Sequence, residues 1–338
     1  MTLDLQQEEG VAILKQLVSV SDIVVENNAP DTIDKLGIGY EELRAVKPDI
    51  VMIRMPAYGL SGPYASYRSL GSHLEGTSGH TYIRGYPDTD PTQTEDIFLA
   101  DAVAGVTGAY AAALALFQLK RRGKGQLIEL SQAECMVSFF GEQLLDLQMT
   151  GTVAGPQGND YYSMAPHNTY PCLGDDRWVA IAVRTDAEWQ GLIEAMGSPA
   201  WSRDDRFATK ESRFEHRAVL DGLVGDWTVR FDDRWVMTRL QSLGVPAAAL
   251  NDDRDLMSDP QLNARDFFHR MEHECMPIEY PRAPWVMKRT ESRLDCPPPT
   301  LGEHNGLVYG DLLGFTDEEQ QRLEKSGHIG DTYPGHIA

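Results

Sequence analysis

Apolar residues recur along the first half of the chain at two alternating periods. Glu8 to Val18 carries them at helical spacing, and Asp22-Ile-Val-Val-Glu26 is a short block of strand length. Tyr40 to Val46 fits a short helix, and Asp49-Ile-Val-Met-Ile53 is a second strand-like block. Strand, helix and strand in this order predict a parallel sheet with helices on its faces. Gly59 to Gly71 is loop-rich. A helix from Ala102 to Leu119, a strand from Gln126 to Leu130 and a helix from Gln132 to Met149 complete the first block. The run Gly151-Thr-Val-Ala-Gly-Pro-Gln-Gly-Asn-Asp160 then breaks the pattern. Beyond it, Trp178 to Val183 reads as a strand, and Ala187 to Met196, Arg213 to Thr228 and Arg234 to Leu243 read as helices. Pro277 to Pro299 is proline-rich and extended.

The fold class is therefore α/β, a large parallel-sheet domain followed by a smaller α+β domain. Its length of 338 residues suits about two domains, and 42% hydrophobic content suffices for buried cores. A net charge of −21 argues against a nucleic-acid or anionic-membrane partner. A polyanionic ligand must then find local cations. The four cysteines, Cys135, Cys172, Cys275 and Cys296, have neither metal-ligand nor disulfide-framework spacing, so they are expected reduced and mostly buried. No window is read as long and apolar enough for a membrane span, and the start lacks signal-peptide character, so a cytoplasmic location is expected.

The candidate chemistry lies at one helix start. The Ala- and Gly-rich stretch from Leu99 to Phe117, closed by Arg121-Arg-Gly-Lys-Gly-Gln126, puts Asp101 at the mouth of a helix. Free backbone N–H groups and the helix dipole favour a carboxylate there. On spacing alone Asp101 is an N-cap. An ionised carboxylate can also act as a nucleophile without a separate base.

The flanking strings decide between these readings. Asp22-Ile-Val-Val-Glu-Asn27, Leu36-Gly-Ile-Gly-Tyr40, Tyr58-Gly-Leu-Ser-Gly-Pro-Tyr64, Ser78-Gly79, Asp101 with Gly105, and Ser131-Gln-Ala-Glu134 occur in one order. Ala165-Pro-His-Asn-Thr-Tyr-Pro-Cys172, Arg177-Trp178, Gly244-Val-Pro246, Asp259-Pro260 and Leu301-Gly-Glu-His304 continue the series. Together they resemble the family III CoA-transferases, the CaiB-BaiF family, over nearly the whole chain.

That resemblance implies a Rossmann-like large domain, 1–150 and 285–338, to which the C-terminal tail returns, a linker 151–175 and a small domain 176–284. It implies Asp101 as the nucleophile, acyl-CoA and a carboxylic acid as substrates, and no metal. Asn27, Asn28, Lys35 and Arg68 stand where members contact CoA, with Lys35 and Arg68 on its phosphates. The stretch Ser163 to His167 stands where members have a glycine loop near the substrate, which makes Met164 and His167 candidate substrate contacts, with a structural role as the alternative for His167, and the loop's acyl specificity is not carried over. His73 lies near the position of the base in related 2-methylacyl-CoA racemases, so racemisation by Asp101 and His73 is an alternative. Members also begin with a further segment that this sequence lacks, so the large domain is expected to be incomplete. The family's interlocked dimers point to a homodimer, or to a second chain supplying that segment, with a non-catalytic subunit as a further alternative.

Overall fold

The computed structural model describes residues 1–93, 97–273, 276–290 and 296–332. The chain divides into two compact units, one of Met1–Arg84, Asp90–Gly155 and Cys296–Ala338, the other of Gly85–Thr89 and Pro156–Asp295.

The first unit is a mixed α/β layer structure. Helix α1 (Glu8–Ser19) leads into β1 (Ile23–Glu26), α2 (Thr32–Lys35), α3 (Tyr40–Val46) and β2 (Val51–Arg54). Next come α4 (Gly71–Thr77), α5 (His80–Ile83), α6 (Leu99–Arg122), β3 (Leu127–Glu129), α7 (Gln132–Val137) and α8 (Gly141–Thr150). The strands form a parallel sheet in the order β1-β2-β3, with Ile23 opposite Val51 and Met52 opposite Leu127. All four residues of the central strand β2 are buried, which is why its sequence is continuously apolar up to Arg54. Side chains alternate across the strand. Met52 joins Val18, Ile33, Ile38, Leu43 and Ile50 in one core, while Val51 and Ile53 pack with Ala104 and Ala115 of α6 in another. A side chain at Gly108 would stand 2.9 Å from the Met55 sulfur, so glycine there lets α6 lie close to the chain leaving β2. Residues 296–332 also belong to this unit. Tyr309 donates its hydroxyl proton to Thr2 O at 2.6 Å and packs with Ile13, Leu323 and Ile329.

The second unit has an antiparallel sheet ordered β4-β5-β6, from β4 (His167–Pro171), β5 (Trp178–Ala182) and β6 (Ala247–Ala249). Val179 and Ile181 of β5 pack with Trp189 and Leu192 of α9 (Asp186–Ala195), Leu220 and Val224 of α11 (Arg217–Thr228), and Val236 and Leu240 of α12 (Asp233–Gln241). Between α9 and α11, α10 (Lys210–Glu215) carries Arg213, which is fully buried. Its guanidinium lies 4.9 Å from the Trp189 ring and reaches Asp186 at 2.8 Å. Helices α13 (Asp253–Ser258) and α14 (Pro260–Ala264) lead to a hairpin of β7 (Phe268–Met271) and β8 (Ile278–Pro281).

Several expectations need correction. The segment 151–175 is not only a linker, since β4 starts within it at His167. The helix expected over Gln132 to Met149 is interrupted by a 3₁₀ turn at Ser138–Phe140, where Ser138 Oγ donates to Cys135 O at 2.7 Å, a local bond that competes with the helix ladder. The helix expected over Arg213 to Thr228 breaks at His216, whose Nδ1 lies 2.9 Å from Ser212 O. Cys172 is buried and Cys135 partly so, but Cys296 is exposed, and Cys275 lies outside the described residues. Burial, with Asp233 and Asp232 nearby, pushes the Cys172 thiol up to about 11. Finally, α6 is long and apolar enough to cross a membrane, with a mean hydropathy of 1.6 over its best window. Alanine and glycine disguise that apolarity in the sequence. In this fold α6 packs on α7, α4 and β2.

Candidate active site

In open α/β sheets, ligands settle beyond the carboxyl ends of the strands. Here the loops leaving β1 and β2 and the start of α7 after β3 meet at that edge. They contribute Asn27 and Asn28, Met55 and Ala57, and Gln132 to the wall of a cavity of about 760 Å³. The loop before α4 adds Tyr67 and Arg68, α4 adds Gly71 and His73, and α6 adds Asp101 and Gly105.

The wall is held by buried polar contacts. Gln132 Nε2 donates to Asn27 Oδ1 at 2.6 Å and to Met55 O at 2.7 Å, which ties the first two loops to α7. Glu26 and Arg54 end β1 and β2 as a buried ion pair at 2.9 Å. Glu26 Oε2 accepts the Asn28 N–H at 2.8 Å, while Arg54 also donates to Pro30 O and to Asp34, so both ends of the Asn27–Asp34 turn are fastened to the sheet. Arg54, Arg68 and Asp31 line an adjoining cavity of about 540 Å³. Beside Arg68, the exposed rings of Tyr64 and Tyr67 stack 5.0 Å apart.

Asp101 is the third residue of α6, not its N-cap. The cap is Phe98, in the left-handed region at φ 51°, ψ 33°, and it offers no side-chain acceptor. The Leu99 N–H instead donates to Glu75 Oε1 at 2.6 Å. Glu75 is wholly buried in α4 and lies 3.3 Å from both Arg84 and His80. Asp101 is exposed to the cavity and has no hydrogen-bond or ion-pair partner among the described residues. A Cβ on Gly71 would stand 2.5 Å from Asp101 Oδ2, so only glycine at that position leaves the carboxylate where it is.

The site residues expected from the sequence divide into groups. Asn27, Asn28, Arg68, His73 and Asp101 line one cavity. Lys35 does not. It is exposed at the end of α2 and ion-paired to Asp31, whose carboxyl it holds below the usual value, with a smaller contribution from Arg68. Met164 and His167 belong to the second unit. There His167 Nδ1 lies 2.7 Å from Asn159 O, and its ring lines a cavity of about 400 Å³ with Asn159 and Ala180. His73 Nδ1 accepts the Leu70 N–H at 3.0 Å. Three residues were not singled out from the sequence: Gln132, Gly71 and Glu75. All sit within strings that could have flagged them, Ser131-Gln-Ala-Glu134 and Gly71-Ser-His-Leu-Glu75. Among the described residues no cluster of three or more His, Cys, Asp or Glu could hold a metal ion.

Residues 1–305 match the CoA-transferase family III profile, and the chain belongs to that family. It is thus an enzyme acting on CoA thioesters. It is 33% identical to the succinyl-CoA–D-citramalate CoA-transferase of Chloroflexus aurantiacus, an alignment that covers 96% of this chain and 80% of that protein. It is 29% identical to the succinate–glutarate CoA-transferase of Agrobacterium fabrum, over 91% of this chain and 77% of that one. Among solved structures, a CaiB/BaiF family protein from Brucella suis superimposes with a TM-score of 0.84 at 28% identity, covering 92% of this chain and 81% of its own.

Arg68 and Lys35 make contrasting tests of the cavity. Calorimetry with CoA should show Arg68→Ala weakening binding by about 1.5–3 kcal/mol, the scale of a hydrogen bond to a charged group. Lys35→Ala should leave affinity within about threefold of the wild type, because its ammonium is already engaged on the surface. Equal losses in both variants would contradict this division.

Proposed function

We propose that the chain moves CoA from an acyl-CoA donor to a carboxylic acid through a covalent thioester on Asp101. The observation that carries this reading is the unengaged carboxylate of Asp101 on the cavity at the carboxyl edge of the parallel sheet. An Asp101 oxygen attacks the thioester carbonyl, the C–O bond forms, the C–S bond breaks and CoA leaves as thiolate. The thiolate attacks the Asp101 side-chain carbonyl of the mixed anhydride, releases the donor's acid as carboxylate and leaves Asp101 as a CoA thioester. Attack by the acceptor carboxylate, followed by thiolate return to the acceptor carbonyl, restores Asp101 and delivers the new acyl-CoA. The oxyanions formed along this path need hydrogen-bond donors. His73 is suited to give one. Since its Nδ1 accepts from Leu70 N–H, the neutral ring carries its proton on Nε2. The same tautomer weakens the racemase alternative, in which His73 would have to accept a proton from the substrate.

Asn27, Asn28 and Arg68 are proposed to bind CoA, and succinyl-CoA is the donor to assay first, since relatives named for succinyl or succinate transfer resemble this chain over most of its length. Met164 and His167 remain proposed acyl contacts. With succinyl-CoA and a panel of acids, Asp101→Asn should lower kcat by at least a thousandfold. Deuterium wash-in α to a 2-methylacyl thioester should be absent in the wild type. An active Asn variant, or rapid wash-in that depends on His73, would overturn the reading.

A homodimer is proposed as the working assembly. Along α6, Val106, Tyr110, Leu114 and Phe117 are each more than half exposed at the spacing of one helix face, and α8 exposes Leu144, Leu145, Leu147 and Met149. Exposed apolar helix faces of this kind suit a protein contact. Light scattering should find a dimer that Phe117→Glu shifts toward monomer. A wild-type monomer at micromolar concentration, or a complex containing a different chain, would contradict the homodimer.

A further inference from the structure

The start of α6 is built unlike three other helices of this chain. At α9, α13 and the helix Asp317–Lys325, the N-cap side chain accepts the N–H of the third helical residue, and that residue's carboxylate, Glu188, Asp255 or Glu319, reaches back to the cap's N–H. In α6 the third residue is Asp101, and the same arrangement would consume its carboxylate at the Phe98 N–H. Instead Phe98, the cap residue, brings no side-chain acceptor, Asp101 stays unengaged, and the N–H of Leu99, the first helical residue, is met from α4 by Glu75 Oε1. Glu75 can do this while wholly buried because Arg84 donates to its other oxygen at 3.3 Å. Gly71, one turn earlier on α4, leaves the space that Asp101 Oδ2 fills.

We propose that Glu75 is a positioning residue for CoA transfer, a remote cap for α6 that leaves the Asp101 carboxylate unengaged and available to attack. The proposal rests on Asp101 being the nucleophile. Glu75 touches neither substrate nor reacting atoms. Its effect falls on the chemical step, since the CoA contacts proposed above lie on other loops.

The test compares Glu75→Ala, Glu75→Gln and Asp101→Asn in the full chain. In Glu75→Ala, kcat should fall at least tenfold while KM for the acyl-CoA stays within about threefold. Glu75→Gln keeps an oxygen for the Leu99 N–H and should hold kcat within about threefold of the wild type. Hydrogen exchange of a peptide covering residues 97–105 reads the cap without any turnover. Exchange at Leu99 should speed up in the Ala variant and remain near wild type in the Gln variant. A folded Ala variant with unchanged kcat or unchanged exchange overturns the proposal. If the Ala variant does not fold, the Gln variant decides. A folded Gln protein with slow exchange at Leu99 and near-normal kcat supports the cap, and one that has lost either overturns it. An active Asp101→Asn protein would sink the nucleophile reading by itself, whereas the exchange measurement would still report on the cap.

Discussion

A helix start exposes backbone N–H groups that something must satisfy, and in α6 the group at Leu99 is met by a buried glutamate from another helix. Burying that carboxylate is tolerable only with a cationic or hydrogen-bonding neighbour, which Arg84 provides. The arrangement couples three features. Helix α4 is pinned to the start of α6, Gly71 is brought against Asp101, and the Asp101 carboxylate is left facing the cavity. A residue at a position that often joins a helix cap is left unengaged on the cavity instead.

The opposite wall follows the same logic at the end of the sheet. Strand β2 is buried on both faces and terminates in Arg54, which pairs with Glu26 and reaches the turn that follows β1. Gln132 then joins that turn to Met55. Buried polar groups with their bonds satisfied hold loops in a single geometry. Asn27 and Asn28 are thus presented by a turn fastened at the sheet, while Arg68 sits on a loop and is free to meet a charged ligand. For a chain with net charge −21, one such local cation matters more than the overall balance.

Much of the first unit could be read from periodicity. The apolar blocks at Asp22–Glu26 and Asp49–Ile53 became β1 and β2, and the Ala-rich stretch became α6. The breaks at Ser138 and His216 were illegible because they come from side-chain bonds to nearby carbonyls, which apolar spacing does not register. At the site, Asp101, His73, Asn27, Asn28 and Arg68 came from the family resemblance, and the fold sets them around one cavity. Lys35 was matched by position along the chain, yet its neighbour one helical turn earlier, Asp31, holds it at the surface. The string Gly71-Ser-His-Leu-Glu75 could draw attention to Glu75 but not to its contact, which is made with a helix 24 residues away.

The central claim is that Asp101 carries CoA during turnover, and a covalent adduct tests it most directly. Wild-type protein incubated with succinyl-CoA, without acceptor, should gain the mass of CoA on the peptide containing Asp101. Hydroxylamine should release that CoA and leave a hydroxamate on Asp101. Transfer that proceeds with no adduct at Asp101, or with the adduct on another residue, would contradict the account.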